Sequence, residues 1–258
     1  MTEYTESVSP PITSARKPRE TESAWAWSQV AVAFLSGGLF QGLMVYCYTA
    51  LMALVALDIT ATNKELMFPK MAMMAVGALV APFIGVLTDR GSIKRVLAVG
   101  AVIFAAGLGV VSTADTILQL TLIFALFFGP LQAMLGPQAT SALTSRWFVE
   151  RRGLAIGVSN VGISVGAFLL PQLIKYLSAD LSMGWREIFP MLAAGTLLFL
   201  VPIILALVIE KPDDYDRTRP ANSATSKPLT TGMLFSDSGF WSLGVCVAIM
   251  YGLLVGVL

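Results

Sequence analysis

The feature that most constrains this chain is a short charged stretch between two long apolar runs. The stretch occupies residues 85–95. The run before it, residues 68–87, carries charge only at Lys70, and the run after it, residues 96–112, carries none. A helix needs about 20 apolar residues to cross a bilayer, and each run approaches that length. The sequence therefore predicts two membrane spans joined by a tight turn, whose Lys and Arg residues hold it on the cytoplasmic side.

Composition agrees with a membrane protein and argues against several other classes. Hydrophobic residues make up 56% and charged residues 13% of the chain, and soluble domains carry about twice that charged share. The net charge of +1 gives no reason to expect a nucleic-acid partner. The chain has no His, so no His-based metal site, general base or proton relay is expected, and no cofactor is implied. Cys47 and Cys246 fall inside apolar runs, which favours buried thiols over a disulfide.

Further apolar runs predict a bundle of six spans and the start of a seventh. Residues 1–28 form a polar tail that is expected to be disordered, and the bundle occupies residues 29–209. A polar, Pro-containing linker follows at residues 210–239. Residues 240–258 begin a seventh span in which the sequence stops, which we interpret as a truncated chain or fragment. The six spans are predicted at residues 30–54, 68–87, 96–112, 117–143, 153–177 and 188–209.

The positions of the basic residues predict the orientation. Most of the 17 Lys and Arg residues lie in the tail, the turn after span two, the loop after span four or the linker. Cytoplasmic segments of multi-pass proteins carry such an excess. We therefore expect a cytoplasmic N-terminus in a plasma or inner membrane, with the lipid bilayer as surroundings. The basic residues expected on the other side are Lys64, Lys70, Lys175 and Arg186.

The turn after span two resembles the loop signature of the major facilitator superfamily of transporters. That signature has a Gly, then Asp-Arg, a small residue and a basic pair. A Gly is usual where Ser92 stands here, and a basic residue where Ile93 stands. The matching residues are Gly85, Asp89, Arg90, Gly91, Ser92, Lys94 and Arg95.

A second stretch, residues 146–166, resembles the branch that contains monocarboxylate transporters and oxalate–formate antiporters. Trp147 and Phe148 precede a basic pair, and spaced glycines follow. Span one departs from the branch, because monocarboxylate transporters carry a lysine where Val45 stands here. The basic pair is Arg151 and Arg152, and the glycines are Gly157, Gly162 and Gly166.

The resemblance implies a fold and a function. The fold is an all-α membrane protein whose six-helix N-terminal bundle contains two inverted three-helix repeats, followed by a truncated seventh helix. The function is alternating-access transport of a small organic anion, a mono- or dicarboxylate, and not an enzymatic reaction. The substrate would bind between this bundle and a C-terminal bundle that the chain lacks, and spans one, two, four and five would line the path.

Small residues predict close helix packing. Span two carries Gly77, Ala81 and Gly85 at four-residue spacing. Span five carries two stripes on different faces. Either one stripe packs on a helix while the other faces a cavity, or both pack. The first stripe contains Ala155, Ser159, Gly162 and Gly166, and the second Gly153, Gly157, Asn160 and Ser164.

Span four also contains two prolines, Pro130 and Pro137. Each removes a backbone donor and can bend the helix, although prolines are also tolerated in membrane helices. Uncharged polar side chains at membrane depth are candidates either for substrate contact or for hydrogen bonds between helices. They are Gln41, Tyr48, Gln132, Asn160 and Ser164.

The charged loops are expected to form a gate. Asp89 would accept hydrogen bonds from a facing helix N-terminus, and the loop cations would pair with acids such as Glu150 in one conformation only. The alternative is that the cations set topology alone. They are Arg90, Lys94, Arg95, Arg151 and Arg152.

Three other interpretations compete with a transporter. Gly162–Gly166 fits the nucleophile-elbow pattern of serine hydrolases, but that chemistry needs a strand-to-helix turn and a base, usually His. A seven-helix receptor or retinal protein normally keeps its N-terminus outside, and retinal needs a lysine in the last span, whereas residues 240–258 contain none. A non-transporting or dimerising half-bundle stays open as an alternative.

Overall fold

The computed structural model describes residues 24–59, 61–62, 64–148 and 151–209, and single positions at 239, 241, 242, 245, 246 and 249. The chain divides into two units, Met1–Asp213 and Asp214–Leu258. Residues 1–23 of the predicted tail, nearly all of the predicted linker and most of the predicted seventh span lie outside the described residues.

Six helices of the described part are long and apolar enough to cross a membrane, which confirms the predicted spans. Spans two, three and five are built on single α-helices, whereas the other three are divided. In chain order the α-helices are α1 (Ala24–Gln41) and α2 (Tyr48–Asp58) in span one; α3 (Phe68–Arg90); α4 (Ile93–Val111); α5 (Ile117–Ile123), α6 (Gly129–Met134) and α7 (Pro137–Trp147) in span four; α8 (Arg152–Lys175); and α9 (Trp185–Gly195) and α10 (Val201–Leu207) in span six.

The divisions within spans are π-helical segments and one complete break. The break lies at Leu135 and Gly136, and Pro137 begins the next helix, α7. Pro130 lies in the first turn of α6, directly after a π-helical segment. Of the two prolines, Pro137 therefore stands at an interruption of span four, whereas the helical path continues through Pro130. The π-helical segments are Gly42–Tyr46, Phe124–Phe128, Tyr176–Asp180 and Thr196–Leu200.

Two helix ends differ from their predicted positions because of packing against distant segments. Helix α1 begins at Ala24, inside the predicted tail. Ala26 is fully buried, and the Trp27 ring packs edge-on against Phe148, with 5.3 Å between centroids. Helix α7 continues through Trp147, so the loop after span four is shorter than predicted.

Hydrogen bonds tie the spans together at both ends of the bundle. We call the end with the α3–α4 turn the basic end, and the other the opposite end. At the basic end Gln29 is fully buried and bonds to the backbone of Leu207 and Ile209. At the opposite end the Trp185 indole donates to the Asp58 carboxylate at 2.7 Å. These contacts join span six to span one at both ends.

Aromatic rings fill the centre of the bundle. Phe104 of α4 packs edge-on against Phe40 of α1 at 5.4 Å and against Phe128 at 5.9 Å. The outer surface is also apolar: Leu79 and Phe83 of α3 are 72% and 76% exposed. Apolar rings inside and apolar side chains outside are what a helix bundle in lipid requires.

Candidate functional site

Spans one and five meet backbone to backbone through glycines. A methyl group added at Gly162 of α8 would collide with the carbonyl oxygen of Phe34 of α1, and one added at Gly166 with that of Gly38. Ala155 and Ser159, on the same stripe of α8, are buried. Small residues permit this close approach in lipid, so this stripe of span five belongs to a helix contact.

Spans two and four form a second close pair. A Cβ atom at Gly77 of α3 would stand 2.9 Å from the carbonyl oxygen of Gly129 and 3.3 Å from the side chain of Gln132. Gly77, a predicted packing residue, and Gln132, a candidate for substrate contact, are thus brought together. Their contact uses the aliphatic part of the Gln132 side chain for packing.

The second stripe of span five is left open. Gly153, Gly157, Asn160 and Ser164 are all exposed. The packing role predicted for Gly157 requires correction, since no atom lies within 4 Å of the place that its Cβ would occupy. Among the described residues this stripe is a polar, uncovered surface beside the contact with α1.

Gln41 and Tyr48 of span one do not form the regular stripe that their spacing predicts. The π-helical segment Gly42–Tyr46 and a bend at Cys47 separate them. Tyr48 is 1% exposed, its hydroxyl donates to the carbonyl oxygen of Leu66, and its ring packs on Phe124 at 5.6 Å. Its polar atom is therefore engaged in holding the bundle together.

The Gln41 side chain has a different environment. Its Oε1 atom is buried and has no hydrogen-bond partner among the described residues. A buried acceptor without a donor is unfavourable, so Gln41 is the predicted polar residue with an unmet hydrogen-bonding capacity.

The loop signature forms the turn between α3 and α4. Asp89 is exposed in the last turn of α3, and Gly91 ends the helix in an extended conformation. The Ser92 hydroxyl accepts a hydrogen bond from the backbone N–H of Arg95 at 3.2 Å and so caps α4. Lys94 is half-buried and Arg95 exposed. The side chain of Arg90 lies outside the described residues.

Arg146 is a functional candidate that sequence reasoning missed. Its Nη2 atom donates to the carbonyl oxygen of Thr88 at 2.7 Å, which joins the end of α7 to the end of α3. Helix C-termini attract cations, but a bond between residues 58 positions apart leaves no local pattern in the sequence.

Beside this bond a groove of about 310 Å³ runs between α3 and α7. Gly85 and Asp89 line it, and no atom lies within 4 Å of a Cβ placed on Gly85. The groove stays open because most of its lining residues are Ala or Gly, and larger side chains at those positions would fill it. The other lining residues are Ala81, Thr88, Ala133, Gln138, Ala139 and Ala142.

Two predicted loop cations, Arg151 and Arg152, lie exposed at the start of α8. Glu150, their suggested acidic partner, lies outside the described residues. In the described part of the chain no group of three or more His, Cys, Asp or Glu side chains is placed to hold a metal ion.

A comparison with protein families identifies the architecture. Residues 30–258 match the model of the Major Facilitator Superfamily. The chain belongs to the Major Facilitator Superfamily. The six described spans are the all-α amino-terminal bundle of this fold, and the protein is an integral, multi-pass membrane protein.

Individual relatives in the Major Facilitator Superfamily place the chain near one branch. Over 176 residues it is 30% identical to mouse monocarboxylate transporter 11, covering 68% of this chain and 38% of that protein. Over 168 residues it is 26% identical to human monocarboxylate transporter 6, covering 65% and 32%. An MFS-type transporter, pynF, of Aspergillus niger is 26% identical over 189 residues, covering 71% and 39%. The chain spans well under half the length of these relatives.

Proposed function

We propose that this chain is the amino-terminal lobe of a secondary transporter for small organic anions, monocarboxylates first among them. The observation that carries the proposal is the family match over residues 30–258, with relatives named monocarboxylate transporters supplying the substrate class. Transport follows alternating access between this lobe and a second lobe. The N-terminus and both basic loops lie in the cytoplasm, because basic segments favour that side.

The geometry of span five supports a position for the solute path. One glycine stripe of α8 packs on α1, and the other stripe, with Asn160 and Ser164, is uncovered. Uncharged polar groups at this depth can accept and donate hydrogen bonds to a small solute without the cost of a buried charge. The Gln41 amide, with its unsatisfied oxygen, is the matching group on span one.

The turn at Asp89 and the groove beside it support the gate. Asp89 is exposed at the rim of a groove lined by small residues, and it can accept hydrogen bonds from the N-terminus of a helix seated there. Arg146 bonds to the carbonyl oxygen of Thr88, which lines the groove. In this proposal the seated helix leaves when the transporter changes conformation.

Uptake into liposomes tests the function. The purified chain is reconstituted, and uptake of radiolabelled acetate, lactate and pyruvate is compared with that of empty liposomes. Saturable uptake supports transport; uptake no higher than in empty liposomes favours the alternative, a non-transporting or dimerising half-bundle. Asn160→Leu should lower uptake at least about tenfold if its amide makes one substrate hydrogen bond. Val161→Leu, exposed on a neighbouring face of α8, is the matched control.

A further inference from the structure

One charged side chain within the apolar spans is not explained by the loops or by ion pairing. Lys70 lies in the first turn of α3 at the opposite end, and its side chain is half-buried. A cation is unfavourable in the first turn of a helix, where the backbone dipole is already positive. Helix stability therefore does not account for this residue.

The Lys70 ammonium group is directed into the bundle. Its nitrogen lies 5.3 Å from the centroid of the Tyr48 ring. Lys70 is also seven residues before Gly77, so both lie on the face of α3 that packs against span four. The ammonium group thus sits where spans one, two and four meet.

The Tyr48 ring provides a fixed platform for this cation. The ring is held by its hydrogen bond to Leu66 and by its edge-on contact with Phe124. The face of an aromatic ring attracts a cation, but it leaves the N–H donors of the ammonium group available. A ring face holds Lys70 in place without neutralising it.

Three carboxylates at the opposite end have other partners. Asp58 accepts from Trp185, Glu65 accepts from the backbone N–H of Thr62 at 2.7 Å, and Asp115 pairs with Arg186 at 3.1 Å. No described residue forms an ion pair with Lys70 at up to 4.0 Å. An ionisable group in a membrane span that lacks such a partner is a candidate binding site for an external ion.

We propose that Lys70 is the site at which a monocarboxylate substrate first binds, at the end of the bundle opposite the basic loops. This inference rests on the proposed transport function and names the cation that the substrate's carboxylate contacts. Lys70 attracts the anion through its charge and then donates hydrogen bonds to one carboxylate oxygen. A cation at the mouth of a cleft raises the local concentration of anions and makes association sensitive to ionic strength.

Uptake kinetics test the role of the charge. For wild-type protein the KM for lactate should rise as NaCl is increased from 20 to 300 mM. In Lys70→Gln the KM at low salt should be at least about tenfold higher, with little salt dependence, while Lys70→Arg stays within about threefold of wild type. Lys175→Gln is the matched control, since Lys175 is an exposed lysine at the same end.

Charge rescue separates the charge from effects on folding. Lys70→Cys is made together with Cys47→Ala and Cys246→Ala and is treated in the membrane, after folding. The cationic reagent 2-(trimethylammonium)ethyl methanethiosulfonate should restore low KM at least in part. Methyl methanethiosulfonate, which adds no charge, should not. Equal KM values after both treatments would overturn the proposal.

Thermal stabilisation by lactate distinguishes failure of the site from failure of transport. If wild-type protein shows no uptake, yet lactate raises its melting temperature and fails to do so for Lys70→Gln, the site is supported and transport by this chain is not. If uptake occurs with the same KM in wild type and Lys70→Gln, the site is refuted and transport is retained. If lactate neither enters nor stabilises the wild type, both are refuted.

Discussion

The side chain of Gln29, at the start of span one, closes the end of span six at Leu207. Its Nε2 atom donates to the Leu207 carbonyl oxygen at 2.7 Å, and its Oε1 atom accepts from the Ile209 N–H at 3.3 Å. The carbonyl oxygens of the last turn of a helix have no partner within the helix. A single buried amide therefore satisfies one of these groups and fixes the direction in which the chain leaves α10.

Replacing this amide should destabilise the bundle. Gln29→Leu keeps the approximate volume of the side chain but leaves the partly buried Leu207 carbonyl and the Ile209 N–H without this partner, at a cost of about 1–3 kcal/mol. Thermal unfolding of the purified protein in detergent measures the loss. Thr113→Ala is the control, because the exposed Thr113 hydroxyl makes a local bond to the Val110 carbonyl oxygen, far from Gln29. Equal melting temperatures for both variants would contradict the role of Gln29.

The two glycine stripes of span five predict opposite outcomes for the same substitution. Gly162→Ala places a methyl group against the Phe34 carbonyl oxygen, and relieving that collision costs about 1–3 kcal/mol. Gly157→Ala meets open space and should raise helix stability slightly, because Ala favours the helix over Gly. Unfolding in detergent compares them, and a loss at Gly157 as large as that at Gly162 would show that the second stripe is also packed.

At the opposite end Arg186 should matter more than its acidic partner. Its guanidinium group lies 4.2 Å from the centre of the Trp185 ring, and it donates to the carbonyl oxygens of Ser112 and Ala114 as well as to Asp115. Asp115 is 77% exposed, so Asp115→Asn should cost less than about 1 kcal/mol.

Arg186→Met removes all of these contacts and should lower the melting temperature more than Asp115→Asn does. The Asp115→Asn effect should also diminish in 0.5 M NaCl, because salt screens exposed charges. A larger loss of melting temperature for Asp115→Asn than for Arg186→Met would show that the ion pair, and not the remaining contacts, stabilises this end of the bundle.

The proposed orientation predicts which cysteines can be labelled from outside the cell. In a background lacking Cys47 and Cys246, Lys175→Cys should react with a membrane-impermeant maleimide on intact cells. Asp89→Cys should react only after the membrane is permeabilised. Labelling of Asp89→Cys in intact cells would reverse the orientation and refute the cytoplasmic placement of the N-terminus.

The span pattern could be predicted because length and polarity alone decide it. Helix α3 spans the predicted second run, and the turn at Gly91 and Ser92 lies where charge interrupts the apolar sequence. Pro130 and Pro137 indicated that the helix of span four could be divided, because proline has no backbone N–H in any context. These features depend on residues close together in the chain.

The features that escaped prediction depend on contacts between distant residues. Tyr48 is a polar aromatic residue of the kind expected in a solute path, but only the fold shows that its hydroxyl donates a hydrogen bond to the Leu66 carbonyl oxygen. The π-helical segment Gly42–Tyr46 leaves no mark in the hydrophobic pattern, although it separates Gln41 from Tyr48. Arg146 could be recognised as a basic helix end, but its bond to Thr88 requires knowledge of how spans two and four pack.

The break at Leu135 and Gly136 divides span four into two parts with different neighbours. Helix α6 packs closely on α3 at Gly77, whereas α7 lies beyond the break and carries Arg146 near its C-terminal end. Pro137 cannot donate a backbone hydrogen bond to the preceding turn, so the backbone hydrogen bonds of α6 do not continue into α7. The two halves of span four are therefore held to α3 by separate contacts, the first through a glycine and the second through the Arg146–Thr88 hydrogen bond.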